Sequence, residues 1–264
     1  MEKALVDLLV LWIIKPLLFG LVNTHFITPH GLDDENHYTT AYELALITDY
    51  ALNNDVFRDI VGTKLYTVNI NGYPKSISNT NELLGNLSGV YGVKTGFTSN
   101  AGRCLVTATK NDNGLDIITI VLGADTKKIR TNDSINLINY CLNNYRLIDI
   151  SSLVNQKFKY FKTYIEPYII INKGIPDEKI DCCFSDLKYN SYPVKNNDSD
   201  NIKISIDNDN TLNAPVYSGD SIGCISVYIN NELLFASNIL VSNDIKKKDF
   251  LYYLKDFFTY YKIY

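Results

Sequence analysis

The 264-residue chain lacks the features that would place it in several large functional classes. It has no basic excess: 25 Lys and Arg stand against 29 Asp and Glu, giving a net charge of -4 and a pI near 5.4. Binding a phosphate backbone needs a basic stripe, so nucleic acid is not an expected partner. Its five cysteines, at 104, 141, 182, 183 and 224, form no C-x-x-C pair and no metal-ligand spacing. A disulfide framework is therefore not expected, and each cysteine reads as a small buried hydrophobe. No clean apolar run is long enough to cross a bilayer. The stretch from Ala4 to Val22 comes nearest, but Asp7, Lys15 and Pro16 interrupt it. Its clean part, Leu8 to Ile14, has only the length of a signal-peptide apolar region, so residues 1–22 read as a signal, an anchor or a buried helix. No internal repeat or long linker stands out, and nothing calls for a cofactor.

What is there is ordinary globular composition, 46% hydrophobic and 20% charged, enough to build a core. Thr40-Ala-Tyr-Glu43 has the form of a capping box, with Thr accepting from a first-turn amide and Glu reaching back to the cap. The helix it predicts places Ala41, Leu44, Ala45, Thr48, Ala51 and Leu52 on one face. Lys64 to Ile70 reads as a strand closed by the tight-turn pair Asn71-Gly72. Val90 to Lys94, Cys104 to Thr109 and Ile117 to Leu122 read as three strands of an antiparallel sheet. Asp133 or Ser134 is expected to cap a helix carrying Ile135, Ile138, Leu142 and Tyr145.

Beyond about residue 150 the pattern changes to short apolar runs, Tyr168 to Ile171, Ile202 to Ile206, Ser221 to Ile229 and Leu233 to Leu240, parted by Asn, Asp, Gly and Pro. That predicts a small all-β domain with a polar loop at Asn196 to Asn201. Phe250, Leu254, Phe257, Phe258 and Tyr261 then share one helical face after Lys246-Lys247-Lys248. Aromatics beside a basic run suit a helix lying in a membrane interface; docking on its own β domain is the other reading.

The chemistry centres on Lys94-Thr95-Gly96, which offers a cation for a carboxylate, a hydroxyl beside it, and a glycine against which substrate backbone can lie. The segment Gly92-Val-Lys-Thr-Gly-Phe-Thr-Ser-Asn-Ala-Gly-Arg-Cys-Leu-Val106 closely resembles the serine D-alanyl-D-alanine carboxypeptidases, the low-molecular-mass penicillin-binding proteins of peptidase S11 type. Asn23-Thr-His-Phe-Ile-Thr-Pro-His-Gly-Leu32, the helix beginning Tyr38-Thr-Thr-Ala, Val121-Leu-Gly-Ala124 and Leu212-Asn-Ala-Pro215 carry the likeness along the chain, and the terminal helix looks like that family's membrane anchor.

The resemblance implies an enzyme that trims peptidoglycan stem peptides outside the cytoplasmic membrane. In that family a Ser in S-x-x-K forms an acyl-enzyme, an S-x-N motif completes the wall, and K-T-G holds the carboxylate. Lys94, Thr95 and Gly96 match the third motif and are the expected substrate-binding residues. Residues 1–93 contain neither S-x-x-K nor S-x-N, so no residue is assigned a catalytic role. Ser185-Asp-Leu-Lys188 and Ser199-Asp-Asn201 follow Lys94 within the β domain and read as chance matches. Thr95 is not a substitute nucleophile, because a base one residue away on a regular strand points to the opposite face. His25, His30 and His37 lie near Asp33, Asp34 and Glu35 in a spacing that fits no metal motif, so no metal is expected.

The expected fold is α+β. It comprises an apolar segment 1–22, a partial penicillin-binding/β-lactamase-like antiparallel sheet with helices over 23–150, a β domain over 151–244 and an amphipathic helix over 245–264. The expected function is that of a truncated or degenerate carboxypeptidase, inactive alone. Its partners would be the stem peptide and, through 245–264, a membrane surface. A non-catalytic membrane or cell-wall binder and a gene fragment are the alternatives.

Overall fold

The computed structural model describes residues 20–176 and 178–260; nearly all of the apolar segment 1–22, and Tyr261 of the terminal helix, lie outside the described residues. The chain divides between Tyr145 and Arg146 into two compact units.

In the first unit, helices α1 (Ala41–Leu52) and α2 (Asp55–Gly62) lead into a hairpin, β1 (Leu65–Ile70) and β2 (Tyr73–Ser78). The antiparallel sheet β3 (Val90–Thr98), β4 (Gly102–Lys110) and β5 (Asp116–Ala124), in that spatial order, is followed by helix α3 (Lys127–Asn144). Asn71 and Gly72 turn the hairpin at φ 51° and 82°, the left-handed pair that such a turn requires. Period-two alternation gives the sheet two apolar faces. Val90 and Leu105 pack with Leu83, Leu84 and Ile138, whereas Val93, Val106 and Ala108 pack with Leu52 of α1 and, partly buried, Phe57 and Val61 of α2.

Thr40 caps α1 as expected, its hydroxyl accepting from the Glu43 amide at 3.2 Å. The capping box is only half formed. The Glu43 carboxylate instead accepts from the amides of Val22 (3.1 Å) and Asn23 (3.0 Å) and from the Thr24 hydroxyl (2.5 Å). Burial pushes the Glu43 carboxyl up, but the hydrogen bonds from Thr24, Asn23 and Val22 outweigh it and hold the group below its ordinary value. The expected cap of α3 is also corrected: Thr126, not Asp133 or Ser134, accepts from the Ile129 amide, and the helix begins at Lys127.

The boundary falls within β6 (Tyr145–Asp149), and the second unit continues into helix α4 (Ile150–Tyr164), where only strands were expected. Asp149 caps α4 by accepting from the Ser152 amide at 2.9 Å. Ile150, Val154 and Phe161, all fully buried, make one helical face against the β-sheet core. Short strands β7 (Ile170–Asn172), β8 (Cys182–Phe184), β9 (Ser191–Lys195), β10 (Ile202–Asn208) and β11 (Thr211–Asn213) precede the long hairpin β12 (Ser221–Ile229) and β13 (Glu232–Val241). The main sheet is antiparallel in the order β10-β12-β13-β8, while β7 and β11 form a parallel pair. Asn196–Asn201, expected as a loop, is a 3₁₀ turn. Helix α5 (Phe250–Tyr260) ends the described chain.

All five cysteines are free; Cys182 is buried, but Cys183 is exposed, which corrects the expectation that each lies inside. Burial and the neighbouring Glu166 push the Cys182 thiol up to about 12, so it stays protonated at neutral pH. Glu166 accepts from the Cys182 amide at 2.6 Å and pairs with Lys162 at 3.2 Å, tying α4 to β8.

One long-range pair fixes the segment that leads into β3. Arg130, 3% exposed, donates from its guanidinium to Glu82 at 2.5 Å, and Lys127 approaches the same carboxylate at 3.3 Å. Burial raises the Glu82 pKa, but its backbone hydrogen bond and the charges of Arg130 and Lys127 lower it below the ordinary value. Removing the carboxylate leaves a buried guanidinium uncompensated, so Glu82→Ala is expected to cost about 3 kcal/mol at pH 7. Arg130→Met, which removes the buried charge itself, is expected to cost less. Because the folded-state pKa of Glu82 is lowered, this stabilisation is complete above about pH 4.5 and is lost as pH falls through the folded value. Urea unfolding at pH 7 and at pH 3 checks both points; an equal Glu82→Ala deficit at the two pH values contradicts them.

Candidate carboxylate-binding site

Lys94, Thr95 and Gly96 lie in the interior of β3 rather than at its end, because the strand runs four residues past its expected end at Lys94, to Thr98. Val93 faces the core and Lys94 is exposed, as strand alternation requires, while Thr95 is half-buried. The Lys94 ammonium donates to the Thr95 carbonyl at 2.7 Å and pairs with no carboxylate among the described residues. Its charge is thus available to an anion. The Thr95 hydroxyl lies 2.6 Å from that of Thr80. On β4, opposite Phe97, the Arg103 guanidinium stacks 3.8 Å from the Phe97 ring centroid, adding a second cation near the end of β3.

The segment 79–82 fastens itself to β3 and its surroundings. The Asn79 side-chain amide donates to the carbonyls of Val61 and Thr63, each at 3.1 Å. The buried Asn81 amide donates to the Gly92 carbonyl at 2.9 Å, and its oxygen accepts from the Leu83 amide at 3.1 Å. Glu82 holds Arg130 and Lys127, and the Thr131 hydroxyl reaches it at 3.3 Å. Sequence reasoning missed Thr80, Glu82, Arg103 and Arg130. The repeated Asn at 79 and 81 marks a side-chain-bonded turn, but nothing in the local pattern ties Glu82 to a residue 48 positions on.

Other candidates do not gather here. Ser185, of the chance S-x-x-K match, accepts through its hydroxyl from the Asn238 amide at 3.0 Å within the second unit. Ser199 lies in the 3₁₀ turn. His25 contacts the Asn36 carbonyl at 2.6 Å, and His30 and His37 accept from the amides of Leu32 (3.2 Å) and Ile27 (3.1 Å), so all three serve their own loop. Among the described residues no three His, Cys, Asp or Glu side chains are grouped to hold a metal. A hollow of about 1010 Å³ between α1, α2 and the first residues of β3 is lined by Asp49, Arg58, Tyr91 and Asp116, and by none of Lys94, Thr95 and Gly96. Its Tyr91 hydroxyl donates to Asp116 at 2.7 Å, and burial together with that carboxylate pushes the phenol far up, so it does not ionise in the ordinary range.

Residues 14–126 match the D-alanyl-D-alanine carboxypeptidase family model, and residues 186–247 match the C-terminal domain of penicillin-binding protein 5. The D-alanyl-D-alanine carboxypeptidase DacF of Bacillus subtilis is 28% identical over 89% of this chain and 58% of its own length. DacC of Escherichia coli, of the same description, is 30% identical over 90% of this chain and 56% of its own length. Penicillin-binding protein 5 of Haemophilus influenzae superposes with a TM-score of 0.64 at 26% identity, covering 89% of this chain and 64% of that one. The chain thus spans little more than half the length of these two curated relatives. Two matches in family order, one on each structural unit, and a fold shared across both show that the chain belongs to the D-alanyl-D-alanine carboxypeptidase family of low-molecular-mass penicillin-binding proteins.

Proposed function

We propose that this chain recognises D-alanyl-terminated peptidoglycan stem peptides at Lys94-Thr95-Gly96 and does not by itself carry out acyl transfer. The observation that carries the reading is the exposed Lys94 ammonium, unpaired with any carboxylate among the described residues and one residue from the Thr95 hydroxyl on the same strand. A terminal carboxylate is the complementary ligand, since it only accepts hydrogen bonds and carries the opposite charge. Acyl transfer needs a nucleophile and a base within hydrogen-bond reach, and residues 1–93 offer no S-x-x-K. In a serine enzyme, loss of the nucleophile alone lowers turnover by about a millionfold. The intact mass of the folded protein after exposure to benzylpenicillin is therefore expected to be unchanged. A stoichiometric adduct overturns the reading, and peptide mapping then names the serine.

We further propose that the chain after Lys248 rests on a membrane surface, at the outer face of the cytoplasmic membrane by the family resemblance; Ile245, buried in the core of the second unit, and the backbone pairs of Lys246 to Lys248 belong to that unit instead. Helix α5 leaves Phe250, Leu251, Phe257 and Phe258 exposed, and Lys246 and Lys247 precede it. No helix among the described residues is long and apolar enough to cross a bilayer; exposed aromatics beside a basic run are what an interfacial helix presents. Deleting residues 249–264, which spares the buried Ile245 and the backbone pairs of Lys246 to Lys248, is expected to abolish co-flotation with phosphatidylglycerol vesicles; unchanged flotation contradicts the assignment.

A further inference from the structure

We infer that Thr80 is a positioning residue for the carboxylate site, its hydroxyl donating to Thr95 so that the Thr95 proton is directed to the bound carboxylate. This rests on the reading of Lys94-Thr95-Gly96 as that site. The two hydroxyl oxygens lie 2.6 Å apart, and each hydroxyl has one proton to give. In the free protein either can donate. A carboxylate accepts only, so once it takes the Thr95 proton, the short contact survives only with Thr80 as the donor. The ligand thereby sets one direction along the chain Thr80 to Thr95 to carboxylate, and hydrogen bonds aligned in series polarise one another.

The backbone around Thr80 is held for this purpose on both sides. The Asn79 amide donates to the Lys64 carbonyl at 2.9 Å, and its side chain bonds the Val61 and Thr63 carbonyls. Asn81 bonds the Gly92 carbonyl of β3 itself and donates from its amide to the Asn79 side chain at 2.9 Å. Thr80 therefore stands at a fixed height beside Thr95, although neither residue is close to the other in sequence and Thr80 belongs to no recognised motif.

The test compares two peptides that differ only at the end, one finishing in D-Ala-D-Ala as the free acid and the other as the C-terminal amide. Their affinities are measured by calorimetry for the wild-type chain, Thr80→Val, Thr80→Ser and Lys94→Ala. Thr80→Val is expected to weaken the acid by about three- to tenfold, the worth of one hydrogen bond, and to leave the amide unchanged. Thr80→Ser, which keeps the hydroxyl, is expected to bind as the wild type does. Equal weakening of both peptides by Thr80→Val shows a merely structural role, and an equal loss in Thr80→Ser shows that the methyl matters rather than the hydroxyl; either overturns the inference. So does an unchanged acid affinity in Thr80→Val. If the wild-type chain does not prefer the acid and Lys94→Ala changes nothing, the site reading fails first and Thr80 falls with it. The Thr95 methyl and amide NMR signals, recorded without ligand, separate the two cases: they move in Thr80→Val if the hydroxyl contact exists, and stationary signals refute it whatever the peptides do.

Discussion

A guanidinium charge is costly to bury without an anion to meet it, and in this chain the arrangement of the candidate site follows from how the charge of Arg130 is met. Arg130 sits in the second turn of α3 with almost no solvent exposure, and Glu82 is its partner. That pairing draws the stretch before β3 against the helix. Once Glu82 is placed, Asn81 reaches the Gly92 carbonyl and Thr80 reaches Thr95. The strand bearing Lys94-Thr95-Gly96 is thus held by β4 along one edge and fastened by a side-chain-bonded segment at two further points.

The two units have different internal logic. The first spreads its apolar residues over both faces of a three-stranded sheet, with helices supplying each covering layer. The second concentrates them in a single cluster that runs from Ile150 and Phe161 on α4 through Ile225 and Val227 to Ile239 and Ile245. The lysine that ties α4 to β8 carries its charge at the rim, where burial disfavours it but Asp181 and Glu166 more than restore it, raising the Lys162 pKa. The two family matches fall separately, one on each unit.

Local signals were legible in the sequence and long-range ones were not. Thr40 and the Asn71-Gly72 pair announced a helix start and a turn because both act through their own backbone neighbours. The strands β3, β4 and β5 could be read from β-branched runs, and Lys94-Thr95-Gly96 from its resemblance to a motif. Helix α4 was missed because Ile150, Val154, Phe158 and Phe161 are residues that also suit strands, and they fall in a region dominated by short apolar runs. The true cap of α3 was missed since Asp133 and Ser134 have the right chemistry too, and only the structure shows Thr126 in the role. Glu43 carries the right type at the right spacing for a capping box, yet a stronger set of donors at Val22, Asn23 and Thr24 claims it. The Glu82–Arg130 pair had no sequence signal at all, since its partners meet only through the tertiary fold.

The most direct test of the whole account is backbone-amide chemical-shift mapping during titration with a peptide ending in D-Ala-D-Ala as the free acid. Saturable shifts centred on Lys94 to Phe97 and on Thr80 are expected, with their loss in Lys94→Ala. Saturable shifts confined to the hollow around Asp49, Arg58 and Tyr91, or no saturable shifts on folded protein, would contradict it.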